Sequence, residues 1–390
     1  MVKRMSVIVL ASMIFLSGCL PILEREEEMI EVEEENEQVV ELSPEVDTPE
    51  NYYRSVLYDG SYPHGEGRGF GNAVVDNRLD LEQLEVGLTS IASGHFDPDT
   101  YFFREGHFIN RTEINSWLMR YHEEDNPEGL NPALGEGETL PDQEESRPRY
   151  ISHILEHNYL VENENGNLEL GGIVIGLSLN QMYYFRERYE DGTYSHTYEV
   201  PIDEETMIRE GQNIADQVVE RLRDPNREDG MLSNVPIVIA LFQEQTRDSV
   251  VPGRFVASAV ADPGKSIERW QRINERYYLF PSNEASNEQR VDTDRFLKLR
   301  EDINGFFDNY VGVVGRGYYQ NDQLQELTID VPIQFYGKTE VIAFSQFIAD
   351  RITQTFPNDL KLQVYVTSVS QQESVIVRNP NEEPFIHIYR

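Results

Sequence analysis

His153-Ile154-Leu155-Glu156-His157 has the residue types and spacing of an inverted zinc-peptidase motif. On a helix, histidines at i and i+4 share one face and can ligate a single zinc ion, with the glutamate as general base. Catalytic zinc also needs a third protein ligand and an open position, and none of the chain's many carboxylates is marked for that role by its spacing. The competing expectation for the same five residues is a short helix with Ile154 and Leu155 buried and both histidines at the surface. An extracellular zinc hydrolase using His153, Glu156 and His157 is therefore the alternative function. The leading reading is a non-enzyme, with no catalytic residue, metal ligand or cofactor assigned.

A second reactive group lies near the N-terminus. Cys19 is the only cysteine of the chain, so no intramolecular disulfide is expected and an apolar core must hold the fold. It follows Leu16-Ser17-Gly18, the small-residue end of a bacterial lipobox, in which the thiol receives a diacylglyceryl group before cleavage between Gly18 and Cys19. Lys3 and Arg4 precede an apolar run from Met5 to Leu16. That run is shorter than the roughly 20 residues of a spanning helix and fits a secretory signal. Residues 1–18 are thus expected to be a lipoprotein signal peptide, with Cys19 the lipid-bearing residue. Two acyl chains suffice for stable anchoring on the outer face of the membrane.

Weaker patterns carry less. Gly264-Lys265-Ser266 resembles the end of a phosphate-binding loop, but Ala259 stands where its first glycine belongs. Gly65, Gly67, Gly69 and Gly71 alternate without forming a dinucleotide fingerprint and read as a flexible loop. Phe96, Tyr101, Phe102 and Phe103 surround Asp97-Pro98. They are expected to pack at a domain junction, with a binding groove as the other use of such a cluster.

The elements that must position these groups follow from charge and periodicity. The chain has 390 residues and a formal net charge of −37. Glu24–Glu50 holds thirteen acids and one base, without an aromatic residue. Such a stretch buries too little apolar surface to fold and is extended by its own repulsion, so residues 19–50 are expected to be an acidic, disordered tether. Residues 51–390 carry −27 of the charge, which argues against nucleic acid and against anionic lipid surfaces. The expected partners are the membrane, through the lipid anchor, and a small-molecule, peptide or protein ligand.

About 340 residues is long for a single core, and an internal repeat supplies two. Val200-Pro201-Ile202 recurs as Val331-Pro332-Ile333, and Ile214-Ala215-Asp216 as Ile348-Ala349-Asp350. Between them Met207 aligns with Val341, Gly211 with Ser345, Val218 with Ile352 and Leu222 with Phe356. This i, i+4, i+7, i+8, i+11 stripe marks an amphipathic helix. Strand-like runs follow in each copy (Ile237–Phe242 and Phe255–Val260; Leu362–Val366 and Phe385–Tyr389), and upstream Ile173–Gly176 resembles Val311–Gly315. The expectation is an α+β fold: two tandem repeats of roughly β-β-α-β-β, helices packed on antiparallel or mixed sheets. The expected boundaries are an N-terminal helical and loop region over 51–165, repeat 1 over 166–262, a helical connector over 263–303 and repeat 2 over 304–390. Helices are expected over 80–92, 112–121 (with Thr112 as N-cap), 267–275 and 294–310, and loops over 122–148 and 282–288.

Several longer motifs carry a resemblance. They are Phe96-Asp97-Pro98 with Tyr101-Phe102-Phe103-Arg104-Glu105-Gly106, Asn126-Pro127-Glu128-Gly129-Leu130-Asn131-Pro132, His153-Ile154-Leu155-Glu156, Asn158-Tyr159-Leu160-Val161 and Gly171–Leu177. Together they resemble the CamS-type sex pheromone precursor lipoproteins of Gram-positive bacteria, over nearly all of 51–390. The resemblance implies a two-repeat α+β body without established enzymatic activity. It also implies that an apolar peptide from the signal sequence, ending just before the lipidated cysteine, is released as a mating pheromone. The matching residues are Ser12, Met13, Ile14, Phe15, Leu16, Ser17 and Gly18.

Overall fold

The computed structural model describes residues 39–46, 51–65, 67, 80–306, 312–334 and 337–390. The expected signal peptide with its candidate pheromone segment, Cys19 and most of the acidic stretch lie outside the described residues, as do Gly69 and Gly71. The expected tether nevertheless ends early. Its residues Val40–Leu42 form strand β1, paired antiparallel with β2, Val56–Tyr58. Val40 and Leu42 flank Glu41, giving the strand an apolar side, and Val40 is buried with Val56, Leu160 and Leu168.

Helix α1, Leu81–Ser93, follows, then β3, Tyr101–Glu105, and the helices α2, Arg111–Leu118, and α3, Leu140–Ser146. The N-cap of α2 is Asn110 rather than Thr112. Its side chain accepts from the Thr112 and Glu113 N–H groups, and Glu113 accepts from the Asn110 N–H in return. The same reciprocal box, Thr139 with Asp142, starts α3 inside the stretch expected to be loop. Strands β4, Ile151–Glu162, and β5, Leu168–Asn180, come next, then the hairpin of β6, Met182–Phe185, and β7, Tyr198–Pro201. Helix α4, Glu204–Leu222, leads to β8, Ile237–Glu244, β9, Arg254–Ala261, and β10, Trp270–Arg272. These strands form a six-stranded sheet in the order β10-β9-β8-β5-β4-β3, antiparallel except for the central parallel pair β5–β8.

The remaining chain builds the same object again. Its elements are β11 (Glu275–Phe280), α5 (Asn283–Glu288), α6 (Arg290–Asn304), β12 (Val314–Gln320), β13 (Gln323–Pro332), α7 (Lys338–Thr355), β14 (Lys361–Thr367), β15 (Gln372–Arg378) and β16 (Phe385–Ile388). The order is β11-β12-β13-β14-β15-β16, parallel only at β13–β14. In each copy a crossover helix joins the two parallel strands, as such a pair requires, and two further helices separate the first strand from the second.

The α+β duplication is therefore present, and each copy is wider than the boundaries 166–262 and 304–390. The segment 263–303 supplies β10 to one sheet and β11 to the other, so it is not a helical connector. Trp270–Arg272 is a strand where a helix was expected, and α5 occupies the expected loop at 282–288. The helical alignment holds residue by residue: Met207, Ile214, Ala215, Val218 and Leu222 are buried, as are Val341, Ile348, Ala349, Ile352 and Phe356. The upstream alignment does not hold. Ile173–Gly176 lies on β5, whose counterpart is β13 and not the stretch around 311–315.

The two sheets differ in how they are covered. In the first, α2 and α4 pack on one face, while α1 covers the other with Leu84, Leu88 and Ala92 against Leu155, Tyr159, Val174, Val238 and Phe242. Strands β4, β5 and β8 are consequently buried along nearly their whole length rather than alternately. In the second, α6 and α7 bury one face, and β14 alternates buried Leu362, Val364 and Val366 with half-buried Gln363 and Tyr365. The polar face of this sheet looks toward α1, where Gln83 Nε2 donates to the Tyr277 hydroxyl at 2.6 Å. Helix α1 is thus a shared layer between the two copies.

Candidate functional site

Strand β4 carries the H-x-x-E-H residues, and its geometry decides what they can do. Pairing to β5 runs without a break from His153–Ser178 to His157–Val174. Side chains alternate faces, so His153, Leu155 and His157 point toward α1, and Ile154 and Glu156 toward α2. Four residues along a strand span about 13 Å, whereas two imidazoles on one zinc approach within a few ångströms. The pair therefore cannot share a metal, and Glu156 is on the opposite face from both histidines. The expected helix is replaced by a strand because helices cover both sheet faces, and the histidines are buried rather than at the surface. The zinc-hydrolase reading falls with the helix it needed.

Glu156 has a structural task. Its carboxylate accepts from the N–H groups of Phe108 at 3.1 Å and Ile109 at 2.8 Å and from Asn158 Nδ2 at 2.5 Å. It thereby ties the turn that leads into α2 onto the sheet. Burial raises its pKa from the ordinary glutamate value, against the pull of these donors. Gly106 makes the close approach possible, since a Cβ there would stand 2.4 Å from Glu156 Cβ.

His157 faces a cavity of about 520 Å³. Helix α1 contributes Glu85, Val86 and Thr89 to its wall, β3 contributes Phe103 and Glu105, and the segment before α1 contributes Tyr52, Tyr53 and Tyr62. Lys361, at the start of β14, brings the second copy to its border. The imidazole is 3% exposed, packs edge-on against Phe103 with ring centroids 4.9 Å apart, and has no hydrogen-bond partner at Nδ1 among the described residues. Burial pushes its pKa down to about 3, so the ring is neutral at physiological pH. Glu105 accepts from the Tyr62 hydroxyl at 3.0 Å and from the Gly65 N–H at 2.6 Å. The Tyr53 hydroxyl donates to the Phe96 carbonyl at 2.5 Å, and burial raises the pKa of that phenol. Lys361 Nζ pairs with Glu326 at 3.2 Å.

The aromatic cluster around Asp97-Pro98 divides between the two expected uses. Phe96 is core, stacked on Tyr159 at 5.1 Å, and Phe103 is cavity wall. A second, larger cavity of about 910 Å³ adjoins the first, between α1 and the polar face of the second sheet, lined among others by Glu82, Gln83, Tyr277, Arg316 and Tyr318. Among the described residues no helix is long and apolar enough to cross a membrane.

Over residues 62–384 the chain matches the family model described as CamS sex pheromone cAM373 precursor. The chain belongs to the CamS family. The CamS region takes in the first six-stranded sheet, the second as far as β15 and most of the cavity wall, while β16 follows it and Tyr52 and Tyr53 lie just ahead of it. The structure is similar to that of a sex pheromone precursor from Lactobacillus salivarius subsp. salivarius UCC118, at 31% identity and a TM-score of 0.79, covering 90% of this chain and 99% of that one. It is also similar to the C-terminal domain of the sex pheromone staph-cAM373 precursor from Staphylococcus aureus, at 27% identity and a TM-score of 0.65, covering 79% and 96%. No curated protein matches the chain. Gly18 and Cys19, the residues expected to be cleaved and lipidated, and the candidate peptide Ser12–Gly18 precede the matched region and lie outside the described residues.

The sequence brought His157 forward only in the alternative zinc reading, through a pairing with His153 that strand β4 rules out, and it missed the other walls of the cavity. Tyr53, Val86, Phe103, His157 and Lys361 come from five separate segments. A weak local signal did exist: Phe103 and Glu105 lie on one side of β3, two residues apart, and both line the cavity.

Proposed function

We propose that the chain is made as a precursor, cleaved between Gly18 and Cys19, and held by a diacylglyceryl group on Cys19 at the outer face of a Gram-positive cell membrane. The fragment Ser12–Gly18 is released as a mating pheromone. The body, which begins with β1, is a non-enzymatic binding module kept clear of the membrane by the acidic stretch before it. The observation that carries this reading is the CamS match over 62–384, placed downstream of a signal-like run that ends in Leu16-Ser17-Gly18-Cys19. The similar structures, a sex pheromone precursor and the C-terminal domain of another, support it. The buried imidazole facing a cavity of about 520 Å³ supports the binding role of the body.

Cell fractionation of the Cys19→Ala variant tests the anchor: the variant is expected to leave the membrane fraction, and full retention there overturns the lipid assignment. Synthetic Ser12–Gly18 tests the message. Clumping or plasmid transfer at nanomolar to micromolar dose is expected in plasmid-bearing cells, and no response overturns it.

A further inference from the structure

We propose that a cleft at the carboxyl ends of β5 and β8 binds a neutral saccharide through the side-chain amides of Gln181 and Gln243. The proposal rests on the reading of the body as a binding module. Among the described residues, the cleft shares no lining residue with the cavity that His157 faces. Strands β5 and β8 are parallel, and α4 crosses between them. Their carboxyl ends therefore meet the start of α4, the kind of place where α/β sheets open ligand crevices. The cleft measures about 470 Å³, within the roughly 300–1,000 Å³ of small-molecule sites. Gln181, Gln243 and Glu204 line it from the first copy, and Arg276 and Tyr278 of β11 from the second.

Two observations select the chemistry. The first is the pair of amides. Ile237, Ile239 and Leu241 of β8 lie in the core under α4, and Gln243 continues their row on the same face. Its side chain is buried, 4% exposed, and lines the cleft. Gln181 follows β5 directly and lines the same cleft. Among the described residues the Oε1 atoms of both have no hydrogen-bond partner. A buried acceptor without a donor costs stability, and leucine at 243 would complete the apolar row without that cost. A ligand that brings hydrogen-bond donors to this wall removes the cost. The second observation is charge. Arg254 is paired with Glu204 at 2.7 Å and Arg276 with Glu288 at 3.4 Å. Asp203 accepts from the Thr206 N–H at 2.9 Å as the N-cap of α4, and the exposed Glu284 adds a further acceptor. Cations already held by carboxylates give an anion little attraction, and a carboxylate ligand brings no donor to an amide oxygen. The wall calls instead for neutral O–H groups that both donate and accept, as adjacent sugar hydroxyls do.

Ligand-observed NMR titration of the full chain with maltose, cellobiose, N,N′-diacetylchitobiose, N-acetylalanine amide and 3-phenylpropionate tests the proposal. Saturable binding of at least one disaccharide, at least tenfold tighter than the amide or the carboxylate, is the expected result. Gln243→Leu and Gln181→Leu are each expected to weaken it about tenfold, the order of one or two lost hydrogen bonds, while His157→Gln leaves it unchanged. In the ligand-free protein Gln243→Leu is expected to hold or raise the urea midpoint, because it removes a buried amide that nothing satisfies. Sugar binding that neither glutamine variant changes overturns this site and leaves the body a binding module. A lower urea midpoint in Gln243→Leu overturns the amide's role as a ligand contact, since it means the amide is bonded within the fold. Amide or carboxylate binding tighter than any sugar, and lost in Gln243→Leu, overturns the saccharide assignment but keeps a ligand site there. Binding of none of the five overturns both the site and its ligand class, and leaves the body's binding role to the His157 cavity.

Discussion

Burial of His157 makes a quantitative prediction about acid stability. In the unfolded chain its imidazole has an ordinary pKa of about 6.5, and in the fold burial depresses it to about 3. Between these values the unfolded state holds the proton and the folded state does not. Stability therefore falls as pH drops below about 6.5, and the loss levels off near pH 3. Each unit of pKa difference is worth about 1.4 kcal/mol, so lowering the pH from 7 to 4 removes about 3 kcal/mol through this group alone. Glu156 works the other way, because its pKa is raised in the fold: its contribution is present at low pH and is lost as pH rises through the folded value. The single-protein profile mixes the two, and the difference between wild type and His157→Gln isolates the histidine. Urea unfolding at pH 7 and pH 4 is expected to show that this difference shifts by about 3 kcal/mol in favour of the variant at pH 4. Curves for the two proteins that stay parallel across that range refute the reasoning, since they mean the imidazole is solvated or paired in the fold.

Two other positions give sharp outcomes. Leu88 is fully buried between α1 and the first sheet, and Leu88→Ala is expected to cost about 2–5 kcal/mol in urea unfolding; a loss under about 1 kcal/mol contradicts the packing of α1 as the shared layer. Arg378, 1% exposed, donates to the carbonyls of Ile352, Pro357 and Leu360 at the end of α7. Arg378→Met leaves those acceptors without their donor and is expected to cost about 3 kcal/mol, measured the same way, and an unchanged midpoint contradicts the capping role.

The parts of the fold legible in the sequence are those where one face alone decides the pattern. Helices α4 and α7 each bury a single stripe, so Met207, Ile214 and Val218 and their counterparts Val341, Ile348 and Ile352 declared both the helices and the duplication. Strand β14 was legible for the same reason, alternating Leu362, Val364 and Val366 with polar partners. Strand β4 was not. Helices cover both of its faces, so its polar residues are buried too, and His153, Glu156 and His157 matched a helical motif that tertiary packing overrides. The extent of each copy was hidden because β3, β10 and β11 are short strands separated from the helical repeat by loops and inserted helices. Strand β1 was masked by the surrounding acids, although Val40 and Leu42 already alternate with Glu41. The cavity was the least legible feature: it exists only once five distant segments meet, and no spacing in the chain links Tyr53 or Lys361 to His157.

The precursor reading turns on one covalent bond. Intact-mass measurement of the protein extracted from the membranes of its own cells tests it directly. The account predicts a chain beginning at Cys19 with the mass of a diacylglyceryl group added. A chain that keeps residues 1–18, or one that begins elsewhere without lipid, contradicts it.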